Sequence, residues 1–130
     1  MISAARKPWT LDERVAQTIG SLPLQTAYVS VITLMELEIG VISMERRDRQ
    51  QGADLRQWLR SRRAELADSQ ILPVTELVAL RCATLHVPDR RPRNDSLIAA
   101  TALVHGLTLV TRNVADFDTI DGLRILNLWA

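Results

Sequence analysis

Residues 93–118, RNDSLIAATALVHGLTLVTRNVADFD, run from a small-residue helix through a continuous apolar segment into a polar loop. The helix is expected over 95–105, with His105 in its last turn and Gly106 as its stop. LTLVT, 107–111, has the unbroken apolar pattern of a strand buried on both faces of a parallel sheet. The stretch carries an acid at each end, Asp95 and Asp116, and a strand-and-helix layer can bring two such carboxylates to one edge of a sheet.

The remaining segments agree. AYVSVI (27–32) is short and β-branched and reads as a strand, and TLMELEIGVISMER (33–46) returns to helical spacing. One long polar helix is expected over about 47–68, with Leu55, Leu59 and Leu66 on one side and Trp58 nearby. QILPV (70–74) reads as a brief strand limited by Pro73. Residues 75–87 form a helix with Leu77, Leu80, Cys82 and Leu85 among its apolar positions. LRILNLW (123–129) is the last strand, and LDERVAQTIG (11–20) an amphipathic first helix ending at Gly20. Strands alternating with helices mean an α/β domain with a mostly parallel sheet.

At 130 residues the chain is one domain, 1–130. No run approaches the ~20 apolar residues of a membrane span, and MISAARKPWTLDER lacks a secretory apolar core. The expectation is a cytoplasmic protein without a membrane partner. Cys82 is the sole cysteine, so it forms no internal disulfide and reads as a core filler. Net charge is only +1, yet fifteen of the sixteen basic residues are arginine. They gather in two knots: Glu45 to Arg63 holds seven arginines against three acids, and DRRPR (89–93) three against one. Arginine suits phosphate bidentately, although an arginine-rich solvated helix is the commoner explanation for such a bias.

Three acids stand where helices begin or strands end. Glu36 follows strand 27–32; with Thr33 it also fits a T-x-x-E capping box. Asp95 opens its helix, where an acid also complements the helix dipole. Asp116 lies beyond strand 107–111, in a loop that would accept an Asx turn. Each has a structural account of its own. Together they would emerge near strand ends on one edge of the sheet, where polar chemistry collects. Clustered carboxylates repel unless a cation is shared. Magnesium is a hard ion that takes one or two carboxylates plus waters and phosphate oxygens, which points to metal-assisted phosphodiester chemistry. There is no Gly-rich phosphate loop, two histidines are too few for a zinc cluster, and no serine elbow is present. Aromatics, at 4%, are too sparse for base-stacking platforms.

SVITLMELEIGV (30–41), DSLIAATALVHGLTLVTRNVADF (95–117) and GLRILNLW (122–129) together resemble the PIN-domain family, and within it the VapC/FitB-like toxins of toxin–antitoxin pairs. The resemblance implies a PIN-like three-layer α/β domain with helices on both faces of a mostly parallel central sheet. It implies a magnesium-dependent endoribonuclease, manganese being the alternative ion, that cleaves RNA. It also implies restraint by a cognate antitoxin, and a homodimer with basic residues flanking an acidic groove. It maps the catalytic and metal-binding acids onto Glu36, Asp95 and Asp116, and a polar position after the strand onto Thr111.

One element departs from the family pattern. The family opens with a strand ending in an Asp-Thr-Asn type motif, whereas MISAARKP matches the residues just after that motif, and no acid precedes Asp12. The expectation is an N-terminally incomplete PIN-like domain missing its first strand, which lies between the strands matched by 27–32 and 107–111. A start placed too far downstream is the favoured explanation; a true truncation, or replacement of the strand by a partner, are the others. Two alternatives to the ribonuclease remain open: a catalytically inactive PIN-like module that binds an antitoxin or another partner, and an α/β small-ligand domain should the three acids lie far apart.

Overall fold

In the computed structural model, residues 27–111 and 113–127 are described. The expected helix 11–20 and the segment MISAARKP lie outside them. Among the described residues the first element is β1 (Val29–Ser30), which passes directly into α1 (Val31–Arg47), then α2 (Arg49–Ala64). A 3-10 turn, Asp68–Gln70, leads to β2 (Ile71–Leu72). α3 (Glu76–Leu85), α4 (Arg93–His105), β3 (Leu109–Val110), a 3-10 turn (Val114–Asp116) and β4 (Ile125–Leu126) complete it. None of the described helices is long and apolar enough to cross a membrane.

β1 pairs parallel with β2, and β3 parallel with β4. Among the described residues no ladder joins the two pairs. Short parallel strands linked by helices are the α/β arrangement expected from the sequence.

Several boundaries differ from the sequence reading. The first strand stops at Ser30 rather than Ile32, because the Ser30 hydroxyl accepts the Ile32 N–H at 3.0 Å and caps the helix there. The cap outweighs the β preference of Val31 and Ile32. The expected 47–68 helix is shorter, Arg49–Ala64, since Asp48 breaks from α1 in extended backbone and its Oδ1 accepts the Gln51 N–H at 3.1 Å. On α3, Val78 and Cys82 are buried, whereas Leu77 and Leu80 stand 65% and 62% exposed. The sequence gives Leu77, Leu80, Cys82 and Leu85 as the apolar positions of this helix, and of these Cys82, with Val78 one turn before it, faces α4.

α4 is the hub. Ile98, Ala99 and Ala102 join Leu72, Leu109, Phe117 and Ile120 in the central cluster, against which Ile32 also packs. Its other side offers Ala100, Leu97 and Val104 to Val78 and Cys82 of α3. Small residues let α4 be buried on both sides at once, which a leucine-rich helix could do only by standing farther off. α4 ends as expected at Gly106, φ 65°. The Leu107 and Gly106 N–H groups donate back to Ala102 O and Leu103 O at 2.9 and 3.3 Å, closing a Schellman turn. That turn reverses the chain into β3. A satellite cluster of Leu37, Val41 and Leu59, flanked by Leu55 and Trp58, holds α1 to α2.

Candidate functional site

The tight turn at Gly106 sets β3 running back along α4, and Leu109 packs on Ile98, Ala99 and Ala102. The first turn of α4 therefore lies toward the carboxyl end of β3. Asp95 is the third residue of α4 and is buried, at 5% exposure. It shares a helix face with Ile98, Ala99 and Ala102, which are three, four and seven residues on. Beside it Ser96, also buried, donates its hydroxyl to Pro92 O at 2.8 Å. A carboxylate in the first turn complements the N-terminal partial charge, so local chemistry tolerates this buried acid.

Thr111 follows β3 directly and is buried. Its N–H donates to Leu126 O at 3.1 Å, the last rung of the β3–β4 ladder. Its Oγ1 accepts the Asn113 N–H at 3.0 Å, which leaves the hydroxyl proton for another acceptor. Asp116 sits in the 3-10 turn beyond, rather than in an Asx loop, with no side-chain cap at Asn113. Phe117, 2% exposed, anchors that turn in the core while Asp116 is exposed.

Glu36 lies on α1, four residues after Ile32 and hence on the side of the helix that Ile32 turns to the central cluster. It is half-buried, and its Oε1 is fully buried. The capping-box account of this glutamate does not apply: Ser30, not Thr33, is the N-cap, and Thr33 is a buried residue of the first turn. Sequence reasoning misses Ser96, a buried neighbour of Asp95, and takes the buried Thr33 only for a cap. Their only signal is a hydroxyl in an otherwise apolar stretch.

Among the described residues no group of three His, Cys, Asp or Glu side chains converges closely enough to hold a metal ion. The donors fit magnesium in kind, since Asp95, Glu36, Asp116 and Thr111 offer hard oxygens only. They fit in number as well, because magnesium is commonly held by one or two carboxylates and keeps its waters.

The PIN-domain sequence profile matches residues 2–123. The FitB toxin of Neisseria gonorrhoeae is 32% identical over 123 residues, covering 91% of this chain and 86% of the toxin. The crystal structure of FitAcB from that organism superposes with a TM-score of 0.79 at 30% identity, covering 99% of both chains. Ribonuclease VapC1 of Rickettsia felis is 54% identical over 35 residues, 27% of this chain and 26% of that protein. A toxin–antitoxin complex from Klebsiella pneumoniae superposes with a TM-score of 0.62 at 26% identity, covering 92% of this chain and 87% of the other.

Proposed function

The chain belongs to the PIN-domain family, and on that premise we propose that it is the toxin of a toxin–antitoxin pair, a divalent-metal-dependent endoribonuclease acting in the cytoplasm. Its resemblance to FitB, and to a ribonuclease over its most distinctive stretch, supports this reading. The observation that carries it is Asp95: a buried carboxylate at the start of the helix that packs on β3, with Thr111 at the end of that strand.

Asp95 and Asp116 would hold magnesium, or manganese in its place, with Glu36 assisting directly or through a water. Such an ion, when bound, acidifies water and neutralises charge on the phosphate. Asp95 is held in place by the α4 turn, whereas exposed Asp116 can reach solvent and substrate. Thr111, its Oγ1 already accepting from Asn113, would direct its O–H at a phosphate oxygen or a water. The buried Oε1 of Glu36 suits that side chain to orienting a neighbour rather than meeting substrate first. The partners proposed are an RNA substrate, a cognate antitoxin and a second copy of the chain.

A second reading, an inactive PIN-like module that only binds an antitoxin, is favoured by the absence of a three-donor group among the described residues. One experiment separates the two. Cleavage of RNA is followed with and without Mg²⁺ for the parent and for Asp95→Asn. Metal-dependent cleavage that falls about a hundredfold or more in Asp95→Asn is the expected result, given what one preorganised electrostatic contact contributes. A parent that never cleaves supports the inactive module, and cleavage untouched by Asp95→Asn removes this assignment of the site.

A further inference from the structure

The loop between α3 and α4, with the facing sides of those helices, bounds an open groove of about 670 Å³ whose polar lining is Cys82, His86, Arg90, Arg91 and Arg93. No carboxylate lines it. The three arginines have different positions in the fold. Arg91 is part of the frame: its Nε donates to Leu85 O at 3.1 Å and its Nη1 to Thr119 Oγ1 at 2.8 Å. Its N–H donates to His86 Nδ1 at 3.2 Å, so that ring nitrogen is an acceptor and Nε2 lies 3.8 Å from Cys82 Sγ. Arg90 and Arg93 are exposed, and among the described residues neither makes an ion pair.

The larger arginine knot is differently disposed. There Arg56 binds Glu38 and Glu45, Arg62 binds Glu65, and Arg63 binds Asp68. Its remaining arginines share that hairpin with Glu38 and Glu45, whose side chains are 44% and 39% exposed. An anion approaching the hairpin meets both signs of charge. The groove's own lining carries positive charge alone, exposed Asp89 of the same loop not being part of it, and Arg90 and Arg93 make no ion pair among the described residues.

Arg93 and Asp95 stand in the same first turn of α4. Arg93 and Leu97 line the groove, while Asp95 lies on the side of the core, so the turn separates an anion-attracting surface from the buried carboxylate. We propose that Arg90 and Arg93 hold an RNA backbone phosphate next to the one that is cut, so that the strand crosses the start of α4 from the carboxylates into this groove. This rests on the ribonuclease reading above. The contact is made to phosphate, not to bases, so it positions the strand without selecting sequence.

The test is equilibrium binding of an uncleavable single-stranded 2′-O-methyl RNA in EDTA, read by fluorescence anisotropy across a range of salt. The double variant Arg90→Gln, Arg93→Gln is compared with the parent and with Arg46→Gln, Arg47→Gln on the hairpin; thermal melts confirm that each is folded. The groove variant should bind about tenfold more weakly. Its slope of log K against log salt should be shallower by about 0.7, the release expected for one phosphate on a single strand. The hairpin variant should keep the parent slope. An unchanged slope in the groove variant overturns the proposal, as does a parent that binds no RNA. So does loss of binding to an oligoglutamate peptide with RNA binding intact, which would make the groove a site for an acidic peptide. If the parent cleaves RNA and the groove variant binds it normally, the groove fails and the enzyme reading stands. If the parent binds through the groove but never cleaves, the reverse holds.

Discussion

Gly52 of α2 passes so close to Glu45 of α1 that a Cβ on it would stand 2.5 Å from the Glu45 Cα and 2.8 Å from its backbone nitrogen. Backbone atoms cannot yield as a flexible side-chain tip can. In an unhindered helix, alanine would be favoured over glycine by about 1 kcal/mol. Here Gly52→Ala should instead destabilise the protein by about 1–3 kcal/mol, the cost of overpacking, measured by denaturant unfolding. A variant as stable as the parent would mean that the two helices do not approach this closely.

Gly106 resists replacement for a different reason. Its φ is 65° and a Cβ added there would meet nothing within 4 Å, so space is free and only backbone strain opposes substitution. Gly106→Ala should cost about 1–2 kcal/mol, and Gly106→Asn less, because asparagine tolerates the left-handed region. Equal melting temperatures for the two variants would refute this account of the turn.

Above Gly52, Arg56 spans both acids of α1: Nη1 donates to the two Glu38 oxygens at 2.8 and 2.6 Å, while Nη2 and Nε donate to Glu45 at 3.1 and 3.2 Å. The Arg56 hydrogen bonds hold the Glu45 carboxyl below the usual carboxylate range, against a smaller desolvation effect and with help from the charges of Arg56 and Arg60. A carboxyl whose pKa is lowered on folding stabilises the protein above its ordinary value of about 4.3 and loses that contribution as pH falls through the lowered one. The difference in melting temperature between parent and Glu45→Gln should therefore be present at pH 7 and vanish in acid below that range. It should also shrink in high salt, because the pair is exposed. A difference that grows on acidification would contradict it.

Thr111 links the end of β3 to the loop carrying Asp116. Thr111→Val keeps the shape but leaves the Asn113 N–H without its acceptor, which should cost about 1–3 kcal/mol if that amide stays dry. Thr111→Ser restores the acceptor and should recover stability and RNA cleavage together. Cleavage lost in Thr111→Ser as well would show that the methyl group, not the hydroxyl, is what the site needs.

The most readable parts of this fold are those whose signals are local. Gly106 after an alanine-rich helix announces its stop, and LTLVT announces a buried strand, because backbone freedom and hydropathy act at the residue itself. Ser30 misleads, since a β-branched neighbourhood and a capping hydroxyl compete and only packing decides between them. Leu77 and Leu80 mislead for a related reason: α3 meets a helix through Val78 and Cys82, and leucine content alone does not say which side is covered. The Gly52–Glu45 approach and the Arg56 bridge are invisible in the sequence, because both depend on how two helices meet after the Asp48 break. Of the candidate site, Asp95, Asp116 and Glu36 are legible as residues. Their burial is not: Asp95 is enclosed and Asp116 exposed, a contrast set by α4 and Phe117 rather than by the acids' own neighbours in sequence.

That contrast yields a prediction about metal linkage that needs no turnover. An ion that binds the folded chain alone stabilises it by RT ln(1 + [L]/Kd), about 2.7 kcal/mol at a hundredfold excess over Kd. With the metal site proposed above, added Mg²⁺ should raise the melting temperature of the parent by several degrees. Buried Asp95 is fixed by α4 and cannot be replaced by a neighbour, so Asp95→Asn should abolish the rise. Asp116, on an exposed turn, can be replaced in part by water, so Asp116→Asn should reduce the rise without removing it. Glu36→Gln, at a side chain that assists rather than holds the ion, should reduce it least. Calcium titrated in parallel reports whether the site tolerates a larger ion with more ligands. A full Mg²⁺ response in Asp95→Asn would place the ion elsewhere, and a response abolished only by Asp116→Asn would reverse the ranking argued from burial.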